Sequence, residues 1–184
     1  MKKRLTLIQM DVHVNDVEYN YNRVQELLTQ SLSESPDIII LPETWNTGFY
    51  PSTDLINIAD NNGDRTKALL SAFAKEHNVN IVGGSVAVAK DNLVFNTSYV
   101  YNRSGELVGE YSKMHGFSPA KEDKYFASGT HTTHFELDGI PCSTVICYDI
   151  RFPELVRMAA LPGTELLFVP AQWPTNKSSV PGNA

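Results

Sequence analysis

The stretch STVICYDIRFPEL, residues 143–155, passes from an apolar run through a polar corner into an amphipathic segment. Residues 145–147 are typical of the end of a buried β-strand. The sequence Phe152-Pro153-Glu154-Leu155 is typical of the first turn of a helix, where proline is favoured. The thiol of Cys147 is therefore predicted to lie where a strand passes into a helix.

The same alternation of strand and helix occurs in the first half of the chain, and it predicts an α/β fold. Asp16 is placed to cap the first helix. The run IIIL is continuously apolar, as in a strand covered on both faces, and it ends at Pro42-Glu43. The predicted strands are RLTLIQM (4–10), IIIL (38–41) and VNIVGGSVAVA (79–89), and the predicted helices are VEYNYNRVQELLTQSL (17–32) and RTKALLSAFAKEHN (65–78).

The second half contains short alternating strands joined by turn sequences, a pattern that predicts antiparallel hairpins. The turns are Arg103-Ser104-Gly105-Glu106 and Asp138-Gly139. A helix to about Ala160 and a final strand, ELLFVP (165–170), complete a layered α/β (α+β) fold with helices outside and sheet inside. The hairpin strands are predicted over VFNTSYVYN (94–102), LVGEYSK (107–113) and the two halves of HTTHFELDGIPCSTVICYD (131–149).

The length of 184 residues predicts one domain with one hydrophobic core. The formal net charge of −6 argues against nucleic acid as a partner and favours a small molecule. The basic start of the chain precedes too short an apolar run for an export signal, and no segment approaches the ~20 apolar residues of a membrane span. We therefore expect a cytoplasmic protein without membrane contact. Cys142 and Cys147 are predicted to be reduced thiols, because their spacing suits neither a disulfide nor a metal site.

A nucleophilic Cys147 would need a base to take the thiol proton and donors to hold the oxyanion that forms on attack at a carbonyl. Charged residues near strand ends offer those groups. Glu43 follows the apolar strand through Pro42, Lys113 ends the strand LVGEYSK, and Glu122 lies in the polar loop after it.

Each of these residues also has an interpretation without catalysis. A cysteine at the end of an apolar strand is more often an inert core residue. Glu43 suits a helix cap or a salt bridge, and Lys113 suits a solvated strand end. Glu122 lies in a charge run, which is typical of a wet loop.

Histidine offers a different partner for Cys147, and a Cys–His pair would indicate a thiol protease. His131 and His134 flank two threonines in a predicted turn and strand edge, where a surface histidine is the simpler interpretation. Only His115, close to Lys113 in sequence, is placed to support a site, and we expect it to play a supporting rather than a direct role.

Four motifs together resemble the signature of the nitrilase superfamily of carbon–nitrogen hydrolases: LPETWNTGF (41–49), EYSKMHGF (110–117), KEDKYFASG (121–129) and ICYDIRFPEL (146–155). Their order and spacing match, and the resemblance runs from residue 4 to about residue 174. The motifs are most similar to the amidase branch that contains ω-amidase, which hydrolyses the side-chain amide of 2-oxo acids such as 2-oxoglutaramate. The resemblance implies an α-β-β-α sandwich, no cofactor, no metal, and a homodimer or higher homo-oligomer.

The resemblance also implies a role for each matched residue. Cys147 corresponds to the nucleophile, Glu43 to the general base, and Lys113 to the cation that stabilises the tetrahedral intermediate. Glu122 corresponds to a second glutamate that positions Lys113 and the substrate. The backbone N–H of Tyr148 would be the other oxyanion donor.

Substrate choice rests on different residues. Arg151 and Trp173 are candidates to line the acyl pocket, where an arginine would hold a substrate carboxylate by paired hydrogen bonds. A second interpretation of Arg151 is that it ties its turn to Asp149 or Glu154.

Members of the superfamily continue beyond the strand corresponding to 165–170 with a helix at the dimer interface and further strands. Here the polar segment TNKSSVPGNA (175–184) follows instead. We therefore expect residues 1–174 to form a carbon–nitrogen hydrolase domain lacking its C-terminal portion, and 175–184 to be a polar tail. The alternative function is that of a truncated, catalytically weak or dead homologue that forms oligomers or binds a partner.

Overall fold

The structure is a computed structural model that describes residues 2–51 and 53–173. The strands are β1 (Leu5–Leu7), β2 (Ile38–Ile40), β3 (Asp60–Asn61), β4 (Asn80–Val82), β5 (Val86–Lys90), β6 (Leu93–Tyr101), β7 (Leu107–Ser112), β8 (His134–Leu137), β9 (Ile140–Thr144) and β10 (Leu166–Phe168). The α-helices are α1 (Val17–Ser31), α2 (Leu55–Ile58), α3 (Asp64–His77), α4 (Glu122–Tyr125) and α5 (Pro153–Ala160). Turns of 3₁₀ helix cover Leu32–Glu34, Ser118–Ala120 and Cys147–Arg151.

Among the described residues the strands form a sheet of seven and a sheet of three. The larger sheet has the order β1-β2-β4-β6-β5-β3, with parallel pairing from β1 to β4. Strand β6 lies antiparallel to β4 and β5 along one edge and to β7 along the other. The smaller sheet has the order β10-β9-β8.

The two sheets face each other between two layers of helix. Ile39 of the larger sheet faces Leu28 of α1 and Leu70 of α3, whereas its neighbour Ile38 faces the smaller sheet. This alternation follows from the period of two along a strand. Helix α5 packs its Leu155 on the outer side of the smaller sheet. The predicted α-β-β-α layering is therefore confirmed.

Local sequence signals set where two helices begin. The Asp16 side chain accepts a hydrogen bond from the Tyr19 N–H at 3.1 Å, so it satisfies one of the free amides at the start of α1. Pro153 opens α5, where its missing N–H removes no helical hydrogen bond. Both starts confirm the predictions from sequence.

The structure corrects the strand predicted over 79–89. The chain breaks into β4 and β5 because Gly84 adopts a φ of +62° and approaches the loop after β2. The strand predicted to reach Cys147 is also wrong, because β9 ends at Thr144 and Cys147 begins a 3₁₀ turn. Strand β1 is shorter than the predicted 4–10.

No helix within residues 2–51 and 53–173 combines the length and apolar character that a membrane crossing needs. The predicted polar tail, 175–184, lies outside the described residues.

A charged network on the surface ties the two sheets together. The Asp138 carboxylate, in the turn between β8 and β9, accepts hydrogen bonds from the Arg103 Nε and Nη2 atoms, each at 2.8 Å. It also accepts one from the Lys3 Nζ atom at 2.8 Å. Arg103 reaches the Asp37 carboxylate as well, again at 2.8 Å. The hydrogen bonds from Arg103, together with that from Lys3, hold the pKa of Asp138 well below its usual range.

We predict that Asp138→Asn lowers the free energy of unfolding by about 1 kcal/mol at neutral pH, because a bidentate, partly buried pair is lost. A carboxyl whose folded-state pKa is depressed stabilises the protein above its unfolded pKa of about 3.9. That contribution disappears as the pH falls through the lower, folded-state pKa.

Urea unfolding of the wild type and the variant from pH 7 down to pH 2 measures this difference. The exposed Glu76→Gln on α3 is the control and should show a smaller effect. An Asp138→Asn deficit that stays constant down to the lowest pH would contradict the prediction.

Candidate active site

A buried lysine lies between two buried glutamates at the ends of three elements. Glu43 follows β2, Lys113 follows β7, and Glu122 begins α4. The Lys113 Nζ atom donates to the Glu43 Oε1 atom at 2.7 Å and to the Glu122 Oε2 atom at 2.7 Å. All three side chains are almost fully buried. The structure thus brings together three residues that the sequence analysis singled out.

The charge run at Glu122 is not the wet loop that the composition suggested. Glu122 is 2% exposed and starts a short helix, after Lys121 in the left-handed region at a φ of +61°. Its Oε2 atom also accepts the Phe117 N–H at 2.6 Å. Burial is therefore compensated by hydrogen bonds to an ammonium and to the backbone.

Cys147 stands beside Glu43 on a strained backbone. Its φ is +46°, a region that residues other than glycine seldom adopt. Its N–H donates to the Pro170 carbonyl at 2.9 Å, next to the end of β10. Such strain persists where surrounding contacts hold it, and it is common at functional sites.

The electrostatics keep the thiol protonated at rest. Burial, the charge of Glu43 and a hydrogen bond to that carboxylate raise the pKa of Cys147 to about 12, although Lys113 opposes the rise. Burial also raises the pKa of Glu43, again against the pull of Lys113. For Lys113, burial lowers the pKa, but attraction to Glu43 and Glu122 outweighs it and the pKa is raised. The ammonium therefore stays charged.

A second buried carboxylate, Asp149, ties the cysteine turn to the lysine strand. It is fully buried and accepts hydrogen bonds from the Tyr111 hydroxyl at 2.7 Å and from the Ile146 N–H at 3.1 Å. It also contacts both the backbone N–H and the ring Nδ1 of His115, each at 2.9 Å. The His115 ring stacks on the Phe152 ring, with the two ring centroids 3.6 Å apart. These contacts agree with the supporting role expected for His115.

The turn that carries Glu43 rests on the break between β4 and β5. The Ser85 N–H donates to the Pro42 carbonyl at 3.0 Å, and the Ser85 Oγ atom accepts the Thr44 N–H at 3.0 Å. Thr44 itself has a φ of +41°. The break between β4 and β5 therefore supports, through Ser85, the turn on which Glu43 lies.

Two residues that contact Glu43 are absent from the sequence prediction. The Asn96 Nδ2 atom donates to the Glu43 Oε1 atom at 3.1 Å, and the Gln172 N–H donates to the Glu43 Oε2 atom at 3.2 Å. Asn96 carried one available signal, because asparagine is disfavoured within strands and this one lies inside a predicted strand. The contact of Gln172 is made through its backbone and has no signal in residue type.

Of the three predicted substrate residues, Tyr148 is partly buried, and Arg151 and Trp173 are exposed. Tyr148 follows Cys147, and its ring packs edge-on against the Phe117 ring with the centroids 5.1 Å apart. Arg151 is exposed at the end of the 3₁₀ turn, and Trp173 is 75% exposed. Within residues 2–51 and 53–173, Arg151 forms no salt bridge with Asp149 or Glu154.

The family assignment comes from comparison with known proteins. A sequence model described as carbon–nitrogen hydrolase matches residues 4–183. The chain belongs to the carbon–nitrogen hydrolase family. This membership confirms the superfamily that the four motifs resemble.

Two curated relatives of this carbon–nitrogen hydrolase carry names of the expected branch. The 2-oxoglutaramate amidase of Bacillus subtilis is 38% identical over 174 residues, which are 95% of this chain and 66% of that protein. An omega-amidase of Danio rerio is 30% identical over 181 residues, which are 92% of this chain and 63% of that protein. The chain thus spans about two thirds of the length of these relatives.

A solved structure supports the same fold. A CN-hydrolase superfamily protein from Xanthomonas campestris, with an arsenic adduct in its active site, superposes with a TM-score of 0.82 at 29% identity. The superposition covers 96% of this chain and 67% of that one. The mixed α/β sandwich of this carbon–nitrogen hydrolase is therefore shared with its family.

We predict that Gly84→Ala destabilises this carbon–nitrogen hydrolase more than Gly139→Ala does. Both glycines have positive φ, +62° and +80°, so both substitutions strain the backbone. A Cβ at Gly84 would lie 2.0 Å from the Pro42 carbonyl oxygen, whereas a Cβ at Gly139 meets nothing within 4 Å. The clash should add about 1–3 kcal/mol to the loss.

Urea unfolding of both variants measures the difference in free energy of unfolding. Equal losses of unfolding free energy in the two variants would show that the backbone of the Glu43 turn can move to accommodate a Cβ atom. That result would contradict the close packing at Gly84.

Proposed function

We propose that this protein hydrolyses a small linear amide to a carboxylate and ammonia through an acyl-thioester on Cys147. The observation that carries the proposal is Cys147 beside Glu43, with the ammonium of Lys113 held between Glu43 and Glu122. A thiol, a base and a cation are the groups that acyl transfer from an amide requires.

The first step uses Glu43 as the base. A thiol whose pKa is about 12 does not ionise by itself at neutral pH, so the carboxylate takes the proton as sulfur attacks the amide carbonyl. The carbon–sulfur bond forms while the carbonyl electrons move to oxygen. The Lys113 ammonium and the Tyr148 N–H stabilise this oxyanion.

The second step returns the proton. The protonated Glu43 gives its proton to the amide nitrogen, the carbon–nitrogen bond breaks, and ammonia leaves the acyl-thioester. Glu43 then takes a proton from water as the water attacks the acyl carbon. The carbon–sulfur bond breaks, the thiol regains its proton, and the carboxylate product departs.

For the substrate we propose the ω-amide of a 2-oxo acid, such as 2-oxoglutaramate. The support comes from the relative named 2-oxoglutaramate amidase, 38% identical to this chain. Arg151 is our candidate to bind the substrate carboxylate, because guanidinium groups pair with carboxylates through two hydrogen bonds. Trp173 is our candidate to pack on the acyl chain.

We further propose that the protein is a cytoplasmic homodimer or higher homo-oligomer. Three large apolar side chains at or near α5 in sequence are exposed: Ile150 is 50%, Met158 54% and Leu161 68% exposed. Exposed apolar surface is typical of an interface where such side chains adjoin. Both cysteines are free, which suits the reducing cytoplasm.

We predict that sedimentation velocity of the wild type gives the mass of a dimer or a higher oligomer. Met158→Lys should shift the measured mass towards that of the monomer, because it places a charge on the exposed apolar surface. A monomeric wild type would contradict the proposed oligomer.

The central test is ammonia release from 2-oxoglutaramate and from a simple aliphatic amide, together with intact-mass detection of an acyl adduct. Cys147→Ser and Glu43→Gln should each lose activity by about 100-fold or more, because each removes a group that the first step needs. Cys142→Ser, which changes the other thiol, is the matched control and should retain activity.

Full turnover by Glu43→Gln would overturn the mechanism and favour His115 as the base, as in a thiol protease. A wild type that releases no ammonia from either amide, with Cys142 and Cys147 equally slow towards iodoacetamide, would favour the alternative of a non-catalytic binding homologue.

A further inference from the structure

Asn96 bridges the two glutamates of the site. Its Nδ2 atom donates to the Glu43 Oε1 atom at 3.1 Å and to the Glu122 Oε1 atom at 3.3 Å. Asn96 is 1% exposed and lies on β6, next to the strand that Lys113 follows. The Lys113 N–H donates to the Asn96 carbonyl at 2.8 Å. Asn96 therefore contacts both carboxylates of the buried cluster through its side chain and Lys113 through the backbone.

We infer that Asn96 is a positioning residue that keeps Glu43 ionised and directed at the thiol of Cys147. This inference deepens the proposed function and rests on it, because it assigns Asn96 a role in the action of Glu43 as the base.

The orientation of the Asn96 side-chain amide supports a role for Asn96 as a hydrogen-bond donor. A side-chain amide has one acceptor end and two N–H groups, and here both N–H groups face carboxylates. The Asn96 Oδ1 atom is buried and has no hydrogen-bond partner among the described residues. Burial of an unpaired acceptor is unfavourable, so packing alone gives no reason for an amide at this position.

The charge balance explains why a neutral donor suits the cluster. Two carboxylates face one ammonium, so one negative charge lacks a full partner. A second lysine would stabilise that charge so strongly that Glu43 would become a weak base. Two N–H dipoles favour the ionised carboxylates to a smaller degree and leave Glu43 able to accept a proton.

Asn96 also helps to fix the orientation of the Glu43 carboxylate. The Glu43 Oε1 atom is held by Lys113 and Asn96, and the Oε2 atom by the Gln172 N–H. With both oxygens fixed, the carboxylate has no freedom to turn away from Cys147. Substitution of Asn96 removes its hydrogen bond to Glu43 and its hydrogen bond to Glu122.

The test follows the alkylation of Cys147 by iodoacetamide across pH in a Cys142→Ser background, with the adduct quantified by intact mass. Asn96→Ala removes both donors and Asn96→Asp replaces them with an acceptor. Asn96→Ser retains one donor and covers the case in which the other variants fold poorly. Ser98→Ala is the matched control, because Ser98 is also buried on β6 and its side-chain oxygen has no hydrogen-bond partner in the part of the chain that the structure describes.

We expect the acid limb of the alkylation profile, along which Glu43 loses its proton and becomes able to act as the base, to move up by about one pH unit in Asn96→Ala, because the Glu43 carboxylate then lacks a hydrogen-bond donor. Asn96→Asp should shift it further and Asn96→Ser less. In ammonia release, kcat should fall by about tenfold or more while KM changes little, since Asn96 acts on the base and not on the substrate. Ser98→Ala should match the background protein in both assays.

An unchanged acid limb of the alkylation profile in the Asn96 variants, with only a lower melting temperature, would overturn the inference and leave Asn96 as a packing residue. A wild type that alkylates rapidly at Cys147 but releases no ammonia would contradict the proposed amidase function. In that case the alkylation profiles alone decide whether Asn96 holds Glu43.

Discussion

The ammonium of Lys113, buried between Glu43 and Glu122, is the interaction on which the rest of the site depends. Burial of a charge costs several kcal/mol, and the cost is offset only where opposite charges and hydrogen bonds surround it closely. The contacts of 2.7 Å to both carboxylates meet this condition. They require the ends of β2 and β7 and the start of α4 to meet at one point. The sandwich of two sheets makes this meeting possible, because strand ends of the larger sheet converge beside the turn after β9.

The backbone around this cluster is held in conformations that regular structure would not adopt. Thr44, Lys121 and Cys147 all have positive φ, and each lies at or next to a charged or nucleophilic residue of the site. Fixed partners compensate for the strain: the Ser85 hydroxyl for the Glu43 turn and the Asp149 carboxylate for the cysteine turn. The Cys147 thiol and the Glu43 carboxylate thus lie on turns, while the positions of the turns are set by strands.

Sequence alone predicted the parts of this molecule that depend on short-range chemistry. The Asp16 cap, the start of α5 at Pro153 and the turn at Asp138-Gly139 are determined within a few residues, and all are present. Cys147, Glu43, Lys113 and Glu122 are predicted as site residues because they lie at or near predicted strand ends and because their motifs resemble a known family. The break at Gly84 was missed because its cause is the Pro42 carbonyl, far away in sequence. The polar composition around Glu122 does not indicate its burial, because the compensating partner is the ammonium of Lys113.

The separation of the charged groups along the chain has a consequence for folding. The bond between Lys113 and Glu43 joins residues 70 apart, and that between Gln172 and Glu43 joins residues 129 apart. No local segment can therefore form the cluster before the sheets associate, and contacts of such long range form slowly. A partly assembled chain that buried one of these charges without its partners would be strongly disfavoured. The same buried charges therefore disfavour compact states in which strands have joined in the wrong order.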